Sequence, residues 1–416
     1  MRDEMTFPDY RVVIITLDQH TAGPIARLSP KLAAEFPGLR VDVFASAEWE
    51  NDPSALDAAI AAVGEADILV GNLVFLENQL NAIVPAMRAR RDHCDAFIGV
   101  IADPSIVELT RMGDLDMSKP ASGAMAMLKK LRGAKSESSA NGAKKMKMLK
   151  RLPKILRLIP GKSQDLRAWF LCMQYWLGGS DENIEQMLRM LLSKYSSRPA
   201  WNGLTILPPK EYPDVGLYHP DLPAEGIATD IADLPKTDGP KVGILMLRSY
   251  VLADDTAHYD AVIRAFEAKG MQPIPAFAGG LDGRPAIDAY FEGIDAMVSL
   301  TGFSLVGGPA YNDNDAAIKA LTDLDVPYLN AQPLEFQTLG QWAQSGQGLG
   351  PVETTMLVAL PEIDGASSPT VYAGRHGSEG CTGCSHMCKA TAGKAMAPCL
   401  ERIESLSEKA LRMANL

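Results

Sequence analysis

Short apolar runs alternate along the chain with longer stretches whose apolar positions recur at helical spacing. VVIITL (12–17) ends in DQHTAGP and is followed by an Ala-rich helical stretch. VDVFA (41–45), a helix over 54–63, ILVGN (68–72), another helix and AFIGVIA (96–102) come next. Such strand–helix alternation predicts a parallel α/β sheet, and strands without polar interruption fit burial on both faces.

The pattern changes between 118 and 195, where strand signals fade. LRAWFLCMQYWLGG and ENIEQMLRMLLSKY read as two helices, with Gly178 and Gly179 as a stop and Ser180 or Asp181 as the next N-cap. Trp169, Phe170, Tyr175 and Trp176 read as core, and Cys172 as a small buried residue. A Pro-rich connector, RPAWNGLTILPPKEYPDVGLYHPDLP, follows. A second alternating unit starts at Lys241, with strands VGILML (242–247), PIPAF (273–277), AMVSL (296–300) and PYLN (327–330) and helical stretches at 256–269, 285–291 and 313–324. The expected fold is α/β, with two parallel-sheet units of Rossmann/flavodoxin-like kind separated by a helical segment. The expected boundaries are an N-terminal α/β domain at 1–117, a basic helical segment at 118–200, a connector at 201–240, a second α/β domain at 241–375, and a Cys-rich segment with a terminal helix at 376–416.

In open parallel sheets, ligands sit outside the carboxyl ends of the strands. Four loops of the second unit reach that edge: RSYVLADDTAHYD, AGGLDG, TGFSLVGGP and NAQPLEF. The first gathers Arg248, Asp254, Asp255, His258 and Tyr259; Gly279, Gly280, Gly307 and Gly308 permit close backbone approach. Arg248, His258 and these glycines are expected to line one concave surface. The same residues also suit turns and caps, since Asp254 or Asp255 can start the next helix.

Charge and cysteine spacing alter this picture. The net charge of −11 argues against general nucleic-acid binding, yet the segment from Lys119 to Arg167 holds 14 Lys or Arg against Glu137 and Asp165. That segment carries +12, so the remainder carries −23. It suits a solvated helix face, an acidic partner, a membrane surface or an anionic ligand. Four of the six cysteines, Cys381, Cys384, Cys388 and Cys399, crowd into CTGCSHMCKATAGKAMAPC. The N-terminus has no secretory pattern, and no apolar run reaches the roughly 18 residues of a transmembrane helix, so a cytoplasmic location with reduced thiols is expected. Four close thiolates then suit a [4Fe–4S] cluster or Zn2+, against the alternative of unliganded cysteines. PGKS (160–163) lacks the first P-loop glycine, which falls at Leu156, and GQGLG (346–350) lacks a Rossmann context.

Long blocks of the chain resemble a known family. PKILRLIPGKSQDLRAWFLCMQYWLGGSDENI, GLYHP, RSYVLADDTAHYDAVI, PIPAFAGGLDG, VSLTGFSLVGGPA and LDVPYLNAQPLEFQT are similar to the large, porphyrin-binding subunit of magnesium chelatase and, more broadly, of cobaltochelatase. The Cys-rich stretch resembles the purple-bacterial form. The resemblance implies ATP-dependent insertion of Mg2+ into protoporphyrin IX on the route to bacteriochlorophyll, with ATP bound by AAA+ ATPase and adaptor partner subunits. It implies Arg248 as a propionate partner, with Tyr259 and the four glycines beside the substrate. His258 and Asp255 would handle protons or metal, with His20 beside Asp18 as a weaker pair. The family's chains are longer, so these 416 residues are expected to correspond to the N-terminal part and not to insert the metal by themselves. The alternatives are a non-catalytic porphyrin-binding or redox-sensing module, or a cobaltochelatase-type subunit.

Overall fold

The computed structural model describes residues 9–17, 20–119, 152–157, 159, 161, 163–308, 311–376 and 396–416. The chain divides into two compact units, Met1–Glu211 and Tyr212–Leu416.

In the first unit the alternation expected from sequence is realised as β1 (Tyr10–Thr16), α1 (Ala22–Glu35), β2 (Leu39–Ala45), α2 (Pro53–Glu65), β3 (Ile68–Asn72), α3 (Glu77–Arg90) and β4 (Ala96–Val100). Asp52 starts α2 by accepting from the N–H groups of Ser54 (3.0 Å) and Ala55 (3.3 Å), with Pro53 at the first helical position. The sheet runs in the order β2-β1-β3-β4 with parallel pairing, then continues antiparallel into β5 (Arg111–Met112) and β6 (Leu115–Asp116). That short hairpin escapes the sequence pattern because two-residue strands carry no periodic signal. Gly113, at φ +56°, makes its turn.

The helices α4 (Ser163–Gly178) and α5 (Asp181–Tyr195) belong to the same core as this sheet. Gly179 ends the first at φ +59°, and the Ser180 hydroxyl accepts from Asn183 N–H (3.3 Å) to start the second. Trp169, Phe170, Cys172, Tyr175 and Trp176 are buried. The Trp169 indole N–H donates to the Gly99 carbonyl (2.9 Å), which lets a large apolar ring enter the core without leaving its donor unpaired.

The second unit contains β7 (Val215–Tyr218), β8 (Ile227–Ala228), β9 (Lys241–Leu247), α6 (Arg248–Leu252), α7 (Ala257–Ala268), β10 (Gln272–Ala278), α8 (Arg284–Tyr290), β11 (Ala296–Ser299), β12 (Gly307–Gly308), β13 (Tyr311–Asn312), α9 (Asn314–Leu324), β14 (Tyr328–Thr338), α10 (Leu360–Asp364), β15 (Ser367–Arg375), β16 (Met396–Pro398) and α11 (Leu400–Ala414). Its main sheet has the order β16-β15-β14-β11-β9-β10-β7-β8. The five central strands are parallel, while β7, β8 and β16 add antiparallel edges. Numbered along the chain, the parallel strands run 2-1-3-4-5, the flavodoxin-like order, with the switch point between β9 and β11. Part of the Pro-rich connector forms β7 and β8, and β15 joins as a fifth parallel strand that the apolar pattern did not predict. One core lies on each face of the sheet, and buried rings such as Phe266 and Phe277 contribute about 1.5–3 kcal/mol each.

Candidate functional site

At the carboxyl edge of the second sheet a small crevice opens beside the switch point. Leu245, Met246 and Leu247 of β9, Ala278 at the end of β10, the loop residues Gly280–Gly283, and Thr301 with Phe303–Leu305 and Gly307 line it. The loops are tied to each other rather than to the strands alone. Gly283 N–H donates to Leu305 O (2.9 Å) and Gly307 N–H to Leu281 O (2.7 Å). Gly280 is at φ +88° and Gly307 at φ +142°, conformations that favour glycine. A Cβ on Gly283 would lie 2.7 Å from Leu245 Cδ2 and 2.8 Å from Leu305 Cδ1, so the absence of a side chain lets this loop pack closely against both leucines. Arg284 clasps the Asp282 carboxylate through Nε (2.9 Å) and Nη2 (2.7 Å), and that contact raises the guanidinium pKa. The cavity volume is about 20 Å³. Ligand pockets usually enclose about 300–1,000 Å³, so the crevice is too small to enclose a whole ligand.

The residues expected to form one surface divide. Gly280 and Gly307 line the crevice; Arg248, Asp255, His258, Tyr259, Gly279 and Gly308 lie outside its lining. Arg248 turns back to the chain, donating from Nε to Pro213 O (2.8 Å) and from Nη2 to Tyr212 O (3.3 Å), with its pKa lowered by burial. Gly279 approaches the Asp214 backbone closely, its N–H donating to that carbonyl; Gly308 pairs with Tyr311 in the β12–β13 ribbon. His258 is fully buried on the core face of α7, and burial pushes its pKa down to about 3. Neither ring nitrogen has a hydrogen-bond partner among the described residues. Its ring lies 4.0 Å from that of Tyr259 and packs against Tyr250 and Tyr372. Tyr259 is also buried, and its hydroxyl accepts from Leu247 N–H (3.2 Å). The pattern AHYDAVI puts both residues on the inward side of an amphipathic helix, so they pack instead of facing the loop edge. Asp255 is half-buried after the strained Asp254 (φ +51°), and Thr256, not either aspartate, holds the N-cap position of α7. In the first unit His20 is buried; Asp18 lies outside the described residues.

Residues 173–416 match the family described as CobN/Magnesium Chelatase, and residues 11–170 match a domain of unknown function, DUF3479. The chain belongs to the CobN/Magnesium Chelatase family. It is 64% identical over 420 residues to the H subunit of magnesium chelatase from Cereibacter sphaeroides, covering 98% of this chain and 35% of that protein. Identity to the corresponding H subunit from Rhodobacter capsulatus is 61% over 413 residues, again covering 98% and 35%. Identity to the chloroplastic magnesium-chelatase subunit ChlH of Oryza sativa subsp. indica is 35% over 388 residues, covering 88% of this chain and 27% of that one. The chain thus spans 35% of the length of the two bacterial relatives. The CobN/Magnesium Chelatase match begins inside α4 and takes in the whole second unit with its crevice.

Several residues that hold this edge of the family's domain carry no signal in the sequence. Asp364, 2% exposed, accepts from Ser304 Oγ (2.7 Å), Leu305 N (2.8 Å) and Asn314 Nδ2 (2.6 Å), and so fixes the loop after β11. In sequence it reads only as the residue before a helix-ending glycine. Asn330, near the start of β14, donates to Leu357 O (2.7 Å) in the π-helical turn Thr354–Ala359. Glu353 is buried, which raises its pKa, and accepts from Gln337 Nε2 (2.6 Å). Of the four proposed metal-binding cysteines, Cys381, Cys384 and Cys388 lie outside the described residues. Cys399 is fully buried at the N-cap of α11, and its N–H donates to Tyr372 O (2.8 Å). Among the described residues no group of three or more His, Cys, Asp or Glu side chains is placed to hold a metal. No helix among them is long and apolar enough to cross a membrane.

Proposed function

We propose that this chain supplies the first part of the porphyrin-binding subunit of a magnesium chelatase, acting in ATP-dependent insertion of Mg2+ into protoporphyrin IX for bacteriochlorophyll synthesis. The observation that carries the reading is 64% identity across 98% of the chain to the H subunit of a magnesium chelatase. That level favours magnesium over the cobaltochelatase alternative. Mg2+ sheds its water reluctantly, and two pyrrole protons must leave, so the reaction needs energy from outside this chain. ATP is bound by AAA+ partner subunits, in agreement with the lack of a P-loop pattern here, and the acidic face of such a partner suits the basic segment 119–167.

Within the chain, the carboxyl edge of the second sheet contributes one wall to the porphyrin site. Gly280 and Gly307 let the macrocycle edge approach the main chain, while the Thr301 hydroxyl and Asp282 carboxylate offer polar contacts. Asp255, half-buried at the same edge, is the residue of the first loop suited to accept a proton. His258 contributes packing, because its ring is enclosed by tyrosines. Cys381, Cys384, Cys388 and Cys399 form the proposed ligand set of a [4Fe–4S] cluster, with Zn2+ as the other candidate; this rests on their spacing, since one placed thiol holds no cluster. The location follows as cytoplasmic.

Fluorescence titration with protoporphyrin IX tests the reading. Saturable binding at micromolar porphyrin is the expected result. A linear, non-saturating response identical to that of an unrelated protein would overturn it.

A further inference from the structure

The first unit has a switch point of its own. Its parallel strands run β2-β1-β3-β4, so the chain reverses direction across the sheet between β1 and β3. Right-handed crossovers then put α1 on one face of the sheet and α2 and α3 on the other. Ile15 is in register with Gly71, and a Cβ on Gly71 would meet Ile106 and, on α3, Met87. Positions 15 and 71 therefore face α3. Their successors, Thr16 and Asn72, are the last residues of β1 and β3 and face the α1 side.

Both side chains are fully buried, and both have an orphan polar atom. The Thr16 hydroxyl has no hydrogen-bond partner among the described residues, and neither has Asn72 Oδ1. Asn72 cannot exchange its two amide atoms to escape this, because Nδ2 donates to Val100 O (3.0 Å). An unpaired buried polar group costs about 1–3 kcal/mol, and here two stand side by side at the one place in the sheet where such folds bind ligands. The 14-residue helix α1 begins on the same face. Its N-cap, Thr21, makes no side-chain capping bond, and its first turn holds no acidic residue, so no acidic side chain of that turn offsets the positive end of the helix dipole. Leu73 (φ +54°) and Ile101 (φ +48°) turn the chain away immediately after β3 and β4, with Leu73 N–H bonded to Ile101 O (2.9 Å).

These groups ask for different things of one ligand. The helix end and the Thr16 hydroxyl favour an oxyanion; Asn72 Oδ1 can only accept, so the ligand must also carry a donor. A phosphate group that keeps one P–OH meets both demands, whereas sulfate at neutral pH has no proton to give. We propose that the β1/β3 switch point of the first unit is a binding site for a protonated phosphate group, held by Thr16, Asn72 and the N-terminus of α1. Free phosphate and a phosphate monoester share this chemistry.

Calorimetric titration of the whole chain at pH 5.5, below the second pKa of about 6 of a phosphate monoester so that its P–OH is kept, with inorganic phosphate, phenyl phosphate and sodium sulfate tests the proposal. Phosphate or the monoester is expected to bind at least about tenfold more tightly than sulfate, and the better of the two names the source. Thr16→Val and Asn72→Leu should each weaken that binding by about tenfold or more. Thr16→Val, which removes a hydroxyl with no partner among the described residues, should also melt no lower than the parent without ligand, and this separates lost binding from lost folding; Asn72→Leu also gives up the bond to Val100 O and is expected to melt lower. Equal affinity for sulfate, undiminished phosphate binding in both variants, or no binding of either phosphate compound at millimolar concentration would overturn it; in the last case the two polar atoms are served by ordered water alone.

Discussion

Replacing His258 by Phe separates a buried neutral imidazole from a catalytic one. Burial depresses the His258 pKa to about 3 in the folded chain, against the ordinary value of 6.5 in the unfolded chain. Between those values the unfolded state binds the extra proton and the folded state does not. Stability from this group is therefore complete above pH 6.5 and is lost as pH falls toward 3, by up to about 1.4 kcal/mol per pH unit. From pH 7 to pH 5 the loss works out at about 2 kcal/mol. Phe has no proton to bind, so His258→Phe should remove that part of the acid sensitivity. The absolute effect at pH 7 combines relief of two unpaired ring nitrogens with the strain of a larger ring, so the pH difference is the diagnostic quantity. Trp342 is the sole tryptophan of the second unit, and urea unfolding followed through it at pH 7 and pH 5 reads the quantity there. The parent should lose about 2 kcal/mol more than the variant between the two pH values. Equal losses would show that His258 is already charged or solvated in the folded chain, and the aromatic-core reading would fail.

Three further outcomes follow from the same geometry. Arg248→Ala should destabilise the second unit by about 1.5–3 kcal/mol in urea without any ligand, because its guanidinium holds the Tyr212 and Pro213 carbonyls; an unchanged midpoint would return Arg248 to the ligand. Asp364→Ala should cost about 1–3 kcal/mol or more and speed amide exchange at Leu305, since three donors lose their acceptor; unchanged exchange would show that the loop holds itself. Anaerobic purification followed by iron, sulfide and zinc analysis should find four iron per chain, or one zinc for the alternative site; metal-free protein with four freely titrating thiols in the segment 381–399 would remove the cysteine ligand set.

The parallel strands of both sheets, β15 apart, were legible because buried parallel strands are continuous apolar runs, as in VVIIT, ILVGN and VGILML. The strand SSPTVYAGR was not, since its first half is polar and it ends in a buried arginine whose Nη2 donates to Glu335 O (2.8 Å). At the site, glycines were the readable part: Gly280 and Gly307 are needed where the backbone takes positive φ, and they do line the crevice. His258 misled because a histidine next to aspartates suggests chemistry, while its position on the helical period sends it inward. Asp364 and Asn330 are set by contacts across about 30–60 residues of sequence, and no local pattern marks them.

Hydrogen–deuterium exchange with and without protoporphyrin IX tests most directly the claim that the carboxyl edge of the second sheet forms part of the porphyrin site. Porphyrin should slow exchange in the loops 279–283 and 301–307, with little change along β1 to β4 of the first unit. Protection confined to the first unit, or saturable binding with no protection in either loop, would contradict the assignment of the site to that edge.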